Sequence, residues 1–519
     1  MREARRFGDG AIATPHYLAS AAGAEVLAAG GNAVDAIVAA NLALGVVAPY
    51  FCGYGGDLLA MVWDGSLHGY ESVGRAPAAA TVESVRAAAG VDEMPAFGPH
   101  AVTVPGAVHG WFTLLERFGS RSFGDLAATA LRLAEEGFPL TRRGAQTFEG
   151  IRYLHERDAF SASLIERYSA GATQPGMRLR QETLARTIRA LAEHGPDYYY
   201  CGPIGAAIVD TLAGLGGLMT VDDFAAHQGR FVDPLRASYG DAEVCELPPP
   251  TQGVTVLEAL AILAGLDLGK PGVDRDHLLV EASKLALASR DAHVGDPDAM
   301  TVSAEELLAA DRIATRRRLI DPSHRVDPPV HASVDGGTAY MCCADSNGLL
   351  VSLIQSNFTA IGAGVHVSEW GVNLHNRGSS FRLTEGHANS MGPSKRPMHT
   401  LVPGMVMRDV RPWIVFGTMG GHAQAPVQVQ VLTRLIVDGA EPQAALEAPR
   451  WAVDPGTWRL DVEGRFADEW QDEMRAKGHE VTPRRKYDDG MGHAHAIVLE
   501  AEGYAVATDP RAEGAALGY

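Results

Sequence analysis

The chain has 519 residues, a length that suits two to four domains or one large α/β unit. Its 63 acidic and 44 basic side chains give a net charge of −19, which repels nucleic acid and anionic membranes, so neither is expected as a partner. The five cysteines form no CxxC pair and no Cys/His ligand spacing, so we expect reduced, buried thiols and no metal site.

The beginning of the chain predicts a buried helix and no targeting segment. No apolar core follows the first arginines, so the N-terminus is not a secretory signal. Residues 33–47 (AVDAIVAANLALGVV) are too few to cross a membrane and contain Asp35 and Asn41. They predict a buried helix that Asn32 caps. We therefore expect a soluble, cytoplasmic protein.

The following segments alternate between strand-like and helical patterns. Residues 51–72 predict a glycine-rich bend and two short strands with a turn at Asp64-Gly65. Helical periodicity dominates residues 112–200. Residues 234–253 predict a strand, a turn, a second strand and an extended proline run.

The character of the chain changes after residues 298–333, where proline and charged side chains cluster as they do in exposed linkers. Beyond them, residues 338–357, 401–418 and 493–508 are apolar and strand-rich, with one helix near 426–439. Two strand-rich regions thus flank a helical middle. This order predicts mixed α/β layers rather than a regular βαβ alternation.

The segment VDGGTAYMCCADSNGLLVSLIQSN places Thr338 behind two glycines at the start of an apolar strand. A threonine hydroxyl is a weak nucleophile, but a threonine at a chain N-terminus can use its own α-amine as base. The amine of a chain terminus has a pKa of about 7.7–8.0, so it can accept a proton at physiological pH. Thr338 would need cleavage of the Gly337–Thr338 bond, which glycine leaves accessible. On spacing alone, the motif is more often a turn.

Motifs along nearly the whole chain support the catalytic interpretation of Thr338. The segment GGTAYMCCADSNGLLVSLIQSNFTAIGAG resembles the region around the catalytic threonine of the γ-glutamyltransferase family, which belongs to the N-terminal nucleophile hydrolases. Other segments that resemble this family occur in family order: GGNAVDAIVAANLALGVVAPYFCGYGGD, VPGAVHGW, LPPPTQG, KLALASRDAHVGDP, GPSKRPMHTLVP, FGTMGGHAQ and DPRAEGAALGY.

The resemblance implies a four-layer αββα sandwich that cuts itself into a large piece, 1–337, and a small piece, 338–519. The large piece would contain the helical middle and an exposed linker, 298–337. Both pieces would stay together as a heterodimer within one compact domain, and a dimer of such heterodimers is left open. The resemblance implies a small-molecule substrate, with no metal and no organic cofactor.

The resemblance also assigns catalytic roles to individual residues. Ser356 falls where the family has a hydroxyl residue that hydrogen-bonds to the nucleophile. Gly420 and Gly421 fall on paired glycines whose backbone N–H groups stabilise the oxyanion of a tetrahedral intermediate. Asn376 matches a substrate-pocket asparagine. Without the resemblance, Ser356 would be a strand-end cap and the other three would be turn residues.

The positions that would hold the α-carboxylate and α-ammonium of a γ-glutamyl group depart from the family pattern. Val73 takes the place of an arginine, although Arg75, two residues on, would share its face in a strand. Arg377 takes the place of a glutamine, and Ser380 that of an acid. Because arginine repels an ammonium, this change favours an acyl group with a carboxylate and no amino group.

A further departure follows the Lys-Arg-Pro motif, where His399 and Thr400 replace two serines. We expect both residues, together with Arg75, Asn376 and Arg377, to bind substrate, while a lone histidine is also commonly structural. The pattern resembles the non-γ-glutamyl branch of the family, which includes cephalosporin-acylase-like proteins and oxamate amidohydrolase.

Three functional hypotheses follow from the sequence. The first is an autoprocessed threonine amidohydrolase that acts on a small anionic acyl amide through an acyl-Thr338 intermediate. The second is a true γ-glutamyltransferase or glutathione hydrolase with a rebuilt pocket, which turnover of a γ-glutamyl anilide but not of oxamate or glutaryl amides would select. The third is an unprocessed, non-catalytic binding protein, which a chain that never cuts itself would support.

Overall fold

The computed structural model of the protein describes residues 2–169, 173–329 and 337–519. Its α-helices are α1 Tyr17–Ala28, α2 Ala33–Val47, α3 Val82–Ala89, α4 Ala107–Phe118, α5 Phe123–Glu136, α6 Arg142–His155, α7 Ala162–Ser169, α8 Glu182–His194, α9 Asp197–Tyr200, α10 Pro203–Gly214, α11 Val221–Ala225, α12 Gly253–Leu263, α13 Val273–His293, α14 Ala304–Leu307, α15 Ala310–Arg317, α16 Gln424–Leu432, α17 Pro442–Glu447 and α18 Asp468–Ala476. Its strands are β1 Arg5–Phe7, β2 Ala11–Thr14, β3 Asp57–Trp63, β4 Leu67–Ser72, β5 Phe138–Pro139, β6 Arg178–Leu179, β7 Arg230–Val232, β8 Leu235–Tyr239, β9 Ala242–Glu246, β10 Gly337–Ala344, β11 Leu350–Phe358, β12 His366–Val367, β13 Val372–Asn373, β14 Gly404–Arg408, β15 Arg411–Thr418, β16 Trp451–Val453, β17 Leu460–Glu463, β18 Val481–Arg484, β19 Ala494–Glu500, β20 Gly503–Thr508 and β21 Ala515–Gly518.

Two sheets, each of seven strands within the described residues, form the centre of the fold. The first has the strand order β1-β20-β19-β15-β14-β9-β8, and the second has the order β21-β2-β10-β11-β3-β4-β7. Neighbouring strands in both sheets are antiparallel. The neighbours β3–β4 and β10–β11 are also consecutive in the sequence, because a short turn can join two antiparallel strands.

Helices cover the outer face of each sheet, so the protein has four layers. One hydrophobic core lies between the second sheet and helices such as α2 and α5, and it contains Ile37 and Leu58. Another lies between the first sheet and helices such as α12 and α16, and it contains Val244 and Leu260. The predicted αββα sandwich is therefore confirmed.

The two sheets pack face to face through a third core that includes Leu59, Tyr340 and Met405. Successive side chains of a strand point to opposite faces of its sheet. Cys342 accordingly lies in the core between the sheets, whereas Cys343 faces the helices. All five cysteines are free thiols, and four are buried as predicted, but the prediction of burial is wrong for Cys201, which is exposed.

Helix α2 begins where the sequence predicts. Asn32 accepts a hydrogen bond from the backbone N–H of Asp35, and the Asp35 carboxylate accepts one from the backbone N–H of Asn32. This capping box satisfies two N–H groups that the helix itself leaves unpaired. All residues of α2 are buried. In the described part of the chain, no helix is long and apolar enough to cross a membrane.

Other predicted elements are also confirmed. The hairpin expected within 51–72 is β3–β4, and the strand pair expected within 234–253 is β8–β9. The helix expected near 426–439 is α16, which continues as a π-helical turn to Val437. The segment 298–333 contains two short helices, α14 and α15, and its last four residues lie outside the described residues.

Candidate active site

Hydrogen bonds link three residues around the predicted nucleophile. Thr338 Oγ1 lies 3.1 Å from Ser356 Oγ, which lies 2.7 Å from the carbonyl oxygen of Gly337. The backbone N–H of Phe358 donates to Ser356 Oγ at 2.7 Å. Ser356 has one proton and donates it to the Gly337 carbonyl, so the Thr338 hydroxyl is the donor in its contact with Ser356.

Strand pairing explains why these groups meet. Gly337 lies opposite Phe358 across the β10–β11 pair, and the register shifts between Gly337 and Ala339. Two residues of β11, Ser356 and Asn357, therefore lie opposite Thr338 and form a β-bulge, a device that redirects a side chain and is frequent beside active sites. Phe358 and Ala360 have φ angles of 73° and 49°, which cost conformational energy in residues other than glycine. The backbone of β11 is thus irregular from Ser356 onward.

The predicted oxyanion glycines form a turn after β15. Gly420 and Gly421 have φ angles of 133° and 55°, a region that favours glycine. A Cβ atom added to Gly417 would lie 2.3 Å from the Tyr340 ring, so β15 packs closely on β10. Tyr340 is two residues from Thr338, and Gly417 is three residues from Gly420. The sheet packing therefore brings these two segments to the same region of the sandwich.

Contacts beyond β15 continue this connection toward the nucleophile. The backbone N–H of Met419 donates to the carbonyl of His493 at 3.1 Å. The His493 ring packs edge-on against Phe51, with ring centroids 5.7 Å apart. The Phe51 carbonyl in turn accepts from the backbone N–H of Asn357, the neighbour of Ser356. A continuous series of contacts thus connects the glycine turn with the end of β11 that contains Ser356.

Arg377 is a buried cation close to this strand end. Its guanidinium lies 3.8 Å from the centre of the Phe358 ring, and its Nη1 donates to Thr400 Oγ1 at 3.2 Å. Its Nη2 has no hydrogen-bond partner among the described residues. Burial lowers the pKa of Arg377 to about 9, and the negative charge of Asp57 opposes that shift. A buried guanidinium with an unused donor is suited to binding an anionic group.

Asp57 is a functional candidate that sequence analysis missed. Its Oδ2 lies 2.8 Å from His399 Nε2 and 3.6 Å from His375 Nδ1. Burial alone would raise the pKa of Asp57, but His375, His399 and the charge of Arg377 hold it well below its ordinary value. Asp57 is therefore ionised and provides a counter-charge for the buried Arg377.

The Asp57 carboxylate also holds the backbone around the strand end. Its Oδ1 accepts from the N–H groups of Gly74 and Gly106, each at 3.2 Å, and its residue pairs directly with Ser356 in the sheet. One signal in the sequence could have found it. Asp57 is the single charged residue of GYGGDLLAMVW, and a charged side chain at the start of an apolar strand is seldom buried without partners.

The predicted pair His399 and Thr400 lies against these two charges. His399 contacts Asp57, and its other ring nitrogen lies 2.8 Å from the carbonyl oxygen of Pro397. Burial and the charge of Arg377 lower the pKa of His399, while its hydrogen bond to Asp57 opposes this. Thr400 contacts Arg377, so the structure brings three of the predicted substrate residues together.

Asn376 is buried in the loop that follows β13. Its Oδ1 accepts from the backbone N–H of Thr359 at 2.9 Å, and its Nδ2 donates to the carbonyl of Ala96 at 2.8 Å. These contacts tie the loop after β11 to the N-terminal half of the chain. Asn376 therefore supports the wall of the site, and direct contact with substrate stays a prediction.

Arg75 differs from the other predicted substrate residues. Strand β4 ends at Ser72, so the strand alternation used to place Arg75 does not extend to it. Its side chain is 40% exposed, donates to the carbonyl of Ser394 at 2.6 Å and lies 3.9 Å from Asp296. Its side chain thus contacts the exposed Ser394 and the buried Asp296, and its role in substrate binding stays a prediction.

Two cavities share His422 in their walls. The smaller, of about 80 Å³, is lined by Phe358 and Thr400, which contact Arg377, and by a set of polar and basic side chains that includes Arg290, Asp291, Ser380 and Arg382. The larger, of about 380 Å³, borders Gly420. Burial, with the charges of Arg290 and Arg377, holds the pKa of His422 well below its ordinary value. One cavity thus adjoins Arg377 and Thr400, which we call the predicted acyl pocket, and the other adjoins the predicted oxyanion turn.

Among the described residues, one cluster has the spacing of metal ligands. Donor atoms of His277, Glu281 and His479 lie within 4.8 Å of one another. However, Lys284 Nζ lies 3.0 Å from Glu281 Oε1, and His277 Nδ1 lies 2.8 Å from His479 Nε2. The ammonium already compensates the carboxylate, and the contact between the two imidazoles uses one nitrogen of each ring. These contacts describe a hydrogen-bonded cluster that requires no metal.

The same cluster holds the segment upstream of the predicted cleavage site. Glu281 Oε2 accepts from the backbone N–H of Val326 at 2.5 Å, and Lys284 donates to the Val326 carbonyl. Trp458 Nε1 donates to the carbonyl of Pro328 at 2.6 Å. The predicted linker is thus exposed in many positions but anchored as far as Pro328. Residues 330–336 of that linker lie outside the described residues.

Comparisons with known proteins agree over nearly the whole chain. A family model described as gamma-glutamyltranspeptidase matches residues 19–519. The oxamate amidohydrolase proenzyme of Klebsiella pneumoniae is 36% identical over 527 residues, and the glutathione hydrolase-like proenzyme YwrD of Bacillus subtilis is 35% identical over 520 residues; each alignment covers 98% of both chains. The crystal structure of a cephalosporin acylase from Bacillus halodurans is similar with a TM-score of 0.95 and 33% identity, covering 100% of this chain and 97% of that one.

Proposed function

The chain belongs to the gamma-glutamyltranspeptidase family, and within it we propose that the protein is an autoprocessed threonine amidohydrolase. The relatives named above are hydrolases and acylases, so the protein is an enzyme. Thr338 is the proposed nucleophile. The proposed substrate is an amide of a small acyl group that carries a carboxylate, either oxamate-like or dicarboxylic, and water is the acceptor.

The hydrogen bonds among Thr338, Ser356 and Gly337 carry the proposal. Attack of Thr338 Oγ1 on the Gly337 carbonyl carbon forms a tetrahedral centre whose oxyanion accepts a hydrogen bond from Ser356. Collapse breaks the Gly337–Thr338 C–N bond, the departing nitrogen takes up the proton that Thr338 Oγ1 lost, and the Gly337 acyl group remains as an ester on that oxygen. Water hydrolyses that ester, which leaves a Gly337 carboxylate and a free Thr338 amine.

The processed enzyme would use the same hydroxyl on its substrate. The α-amine of Thr338 takes the Oγ1 proton as the oxygen attacks the substrate amide, and the N–H groups of Gly420 and Gly421 stabilise the oxyanion. The amine then gives its proton to the leaving amine of the substrate. Water next attacks the acyl-threonine ester and releases the carboxylic acid. The net reaction is hydrolysis of one C–N bond, and these steps need no cofactor.

Charge around the smaller cavity supports an anionic acyl group. Arg290 and Arg382 line it, Arg377 lies against its Phe358 wall, and Asp291 is the acid of the lining. Ser380 stands where the family has an acid, and its hydroxyl lies 2.7 and 2.9 Å from two backbone carbonyl oxygens. It therefore offers no negative charge to a substrate ammonium, whereas the guanidinium groups attract a carboxylate.

One observation favours hydrolysis of γ-glutamyl amides as a second candidate function. Asp291 Oδ1 pairs with Arg290 at 2.7–2.8 Å, but its Oδ2 has no hydrogen-bond partner among the described residues. Because Asp291 lines the smaller cavity, this oxygen offers an acceptor for a substrate ammonium. The relative from Bacillus subtilis is named glutathione hydrolase-like.

Sheet topology supports a stable complex of the two proposed pieces, 1–337 and 338–519. In the second sheet, β10 and β11 of the small piece lie between β2 and β3 of the large piece. In the first sheet, β1 pairs with β20 and β9 pairs with β14. Each piece alone would expose unpaired strand edges and apolar core, so cleavage at the Gly337–Thr338 bond would leave a heterodimer.

Intact mass spectrometry and three amides test the proposal together. Two masses that meet at the Gly337–Thr338 bond are expected, with turnover of oxamate or a glutaryl anilide exceeding that of γ-glutamyl anilide. Arg377→Gln should raise KM for the anionic acyl substrate and bring the two anilides closer in kcat/KM. Cleavage elsewhere would exclude Thr338 as the nucleophile, and preference for γ-glutamyl anilide would select the second candidate.

A further inference from the structure

Gln252 links the predicted oxyanion turn to the predicted acyl pocket. Its Nε2 donates to the carbonyl oxygens of Gly421 at 3.0 Å and Thr400 at 2.9 Å. Its Oε1 accepts from Arg290 Nη1 at 2.6 Å. These partners fix the orientation of the amide, because carbonyl oxygens only accept and a guanidinium only donates.

Gln252 is itself held rigidly. Its residue is fully buried, and its backbone N–H donates to the carbonyl of His399 at 2.8 Å. It directly precedes α12, which packs in the core between the first sheet and its helices. Arg290, its side-chain partner, is buried and paired with Asp291. The amide is therefore presented from a fixed scaffold rather than from a loop.

The glycine turn needs such support. Glycine has little intrinsic preference among backbone conformations, so the direction of the N–H groups at Gly420 and Gly421 depends on what holds the turn. The Gly421 carbonyl accepts from the backbone N–H of Gln424 within the helical turn and from Gln252 across the site. Donors to an oxyanion must be placed within a few tenths of an ångström to be effective.

We propose that Gln252 is a positioning residue for the oxyanion hole of the amidohydrolase. It holds the Gly421 carbonyl in place and thereby fixes the direction of the turn. It also fixes the position of this turn relative to the pocket that contains Thr400 and Arg377. Gln252 acts through these groups and not by contact with substrate. The inference rests on the proposed function, because the oxyanion role of the glycines belongs to it.

Two substitutions separate hydrogen bonding from packing. Gln252→Met has a similar length and removes all three hydrogen bonds, whereas Gln252→Glu keeps an oxygen for Arg290 and removes the donor to Gly421 and Thr400. The matched control is Gln430→Met. Gln430 is also buried, and its amide also donates to two carbonyl oxygens, that of Pro426 within α16 at 3.0 Å and that of Trp451 in β16 at 2.9 Å.

Steady-state kinetics of the cleaved protein give the first test. The substrate is whichever of the three amides the wild type hydrolyses, and intact mass spectrometry measures the fraction of each variant that is cleaved. Loss of an oxyanion donor costs about 10²–10³ in kcat, and misplacement should cost less, roughly 10–100-fold for both Gln252 variants. KM should change by less than about threefold, since ground-state binding is retained. The Gln430→Met control should keep kcat within about twofold. Equal losses in the control, or an unchanged kcat in both Gln252 variants, would overturn the inference.

Hydrogen–deuterium exchange of the peptide that contains residues 419–423 gives a second test that needs no substrate. Gln252→Met should exchange faster there than the wild type, and Gln430→Met should not. Unchanged exchange in Gln252→Met overturns the inference. If the wild type hydrolyses none of the three amides, the proposed function fails and the exchange result alone decides the role of Gln252.

Discussion

Removal of the Ser356 hydroxyl should slow autocleavage without unfolding the protein. In the uncut chain this hydroxyl donates to the Gly337 carbonyl at 2.7 Å, and it accepts from Thr338 and from the backbone of Phe358. Among the described residues, Ser356→Ala therefore removes the one side-chain donor to the oxygen that becomes the oxyanion. It also removes the acceptor that orients the nucleophile.

The expected decrease in the rate of autocleavage follows from the number of oxyanion donors lost. Removal of one oxyanion donor costs about 2.7–4 kcal/mol of transition-state stabilisation, which corresponds to a rate loss of about 10²–10³. The lost contacts cost the folded state less, about 0.5–1.5 kcal/mol for each hydrogen bond. Ser356→Ala should therefore accumulate as a folded, uncut chain that converts slowly to two pieces.

A time course of intact mass after purification measures this rate. Ser352→Ala is the matched control, because Ser352 is buried on the same strand and contacts Tyr340 and Phe416 rather than the cleavage site. Ser356→Thr keeps a hydroxyl and should restore cleavage. Cleavage of Ser356→Ala at the rate of the wild type and of Ser352→Ala would refute this account of the Gly337 carbonyl.

Three further predictions concern the nucleophile, the buried charges and pH. Thr338→Ala should remain one full-length chain with no amidase activity, and recovery of two pieces by mass would remove Thr338 from the mechanism. Asp57→Asn leaves Arg377 without its counter-charge, so the free energy of unfolding in urea should fall by about 3–5 kcal/mol. The exposed control Asp64→Asn should lose less than about 0.5 kcal/mol. Similar losses in the two variants would contradict the role of Asp57 as the counter-charge of Arg377. Burial lowers the pKa of three imidazoles from 6.5 to about 4: His16, His366 and His495. In the unfolded chain these rings bind protons at a higher pH than they do in the folded protein. The free energy of unfolding should therefore be highest above about pH 6.5 and fall toward pH 4, by at most about 3 kcal/mol for each ring. A flat melting temperature across this range would show that these rings are hydrated.

Signals within short stretches of the sequence determined much of the fold. The cap at Asn32 and the apolar run after it predict α2, and the turn at Asp64-Gly65 predicts the β3–β4 hairpin, because caps and turns depend on a few neighbouring residues. The Gly-Gly-Thr motif and its family resemblance placed Thr338 and Ser356 in one predicted site. Strand pairing of β10 with β11 then puts their hydroxyl groups 3.1 Å apart.

Tertiary structure alone decided which distant groups meet. Asp57 and His399 are 342 residues apart in the chain, and Gln252 and Gly421 are 169 apart, so no local pattern links them. Their contacts depend on how the two sheets pack and on the register of β3 with β11. Likewise, the end of β4 at Ser72 decided the surroundings of Arg75. Buried charges and amides form hydrogen bonds with whichever strand or turn packs against them, and which one does so depends on how the layers assemble.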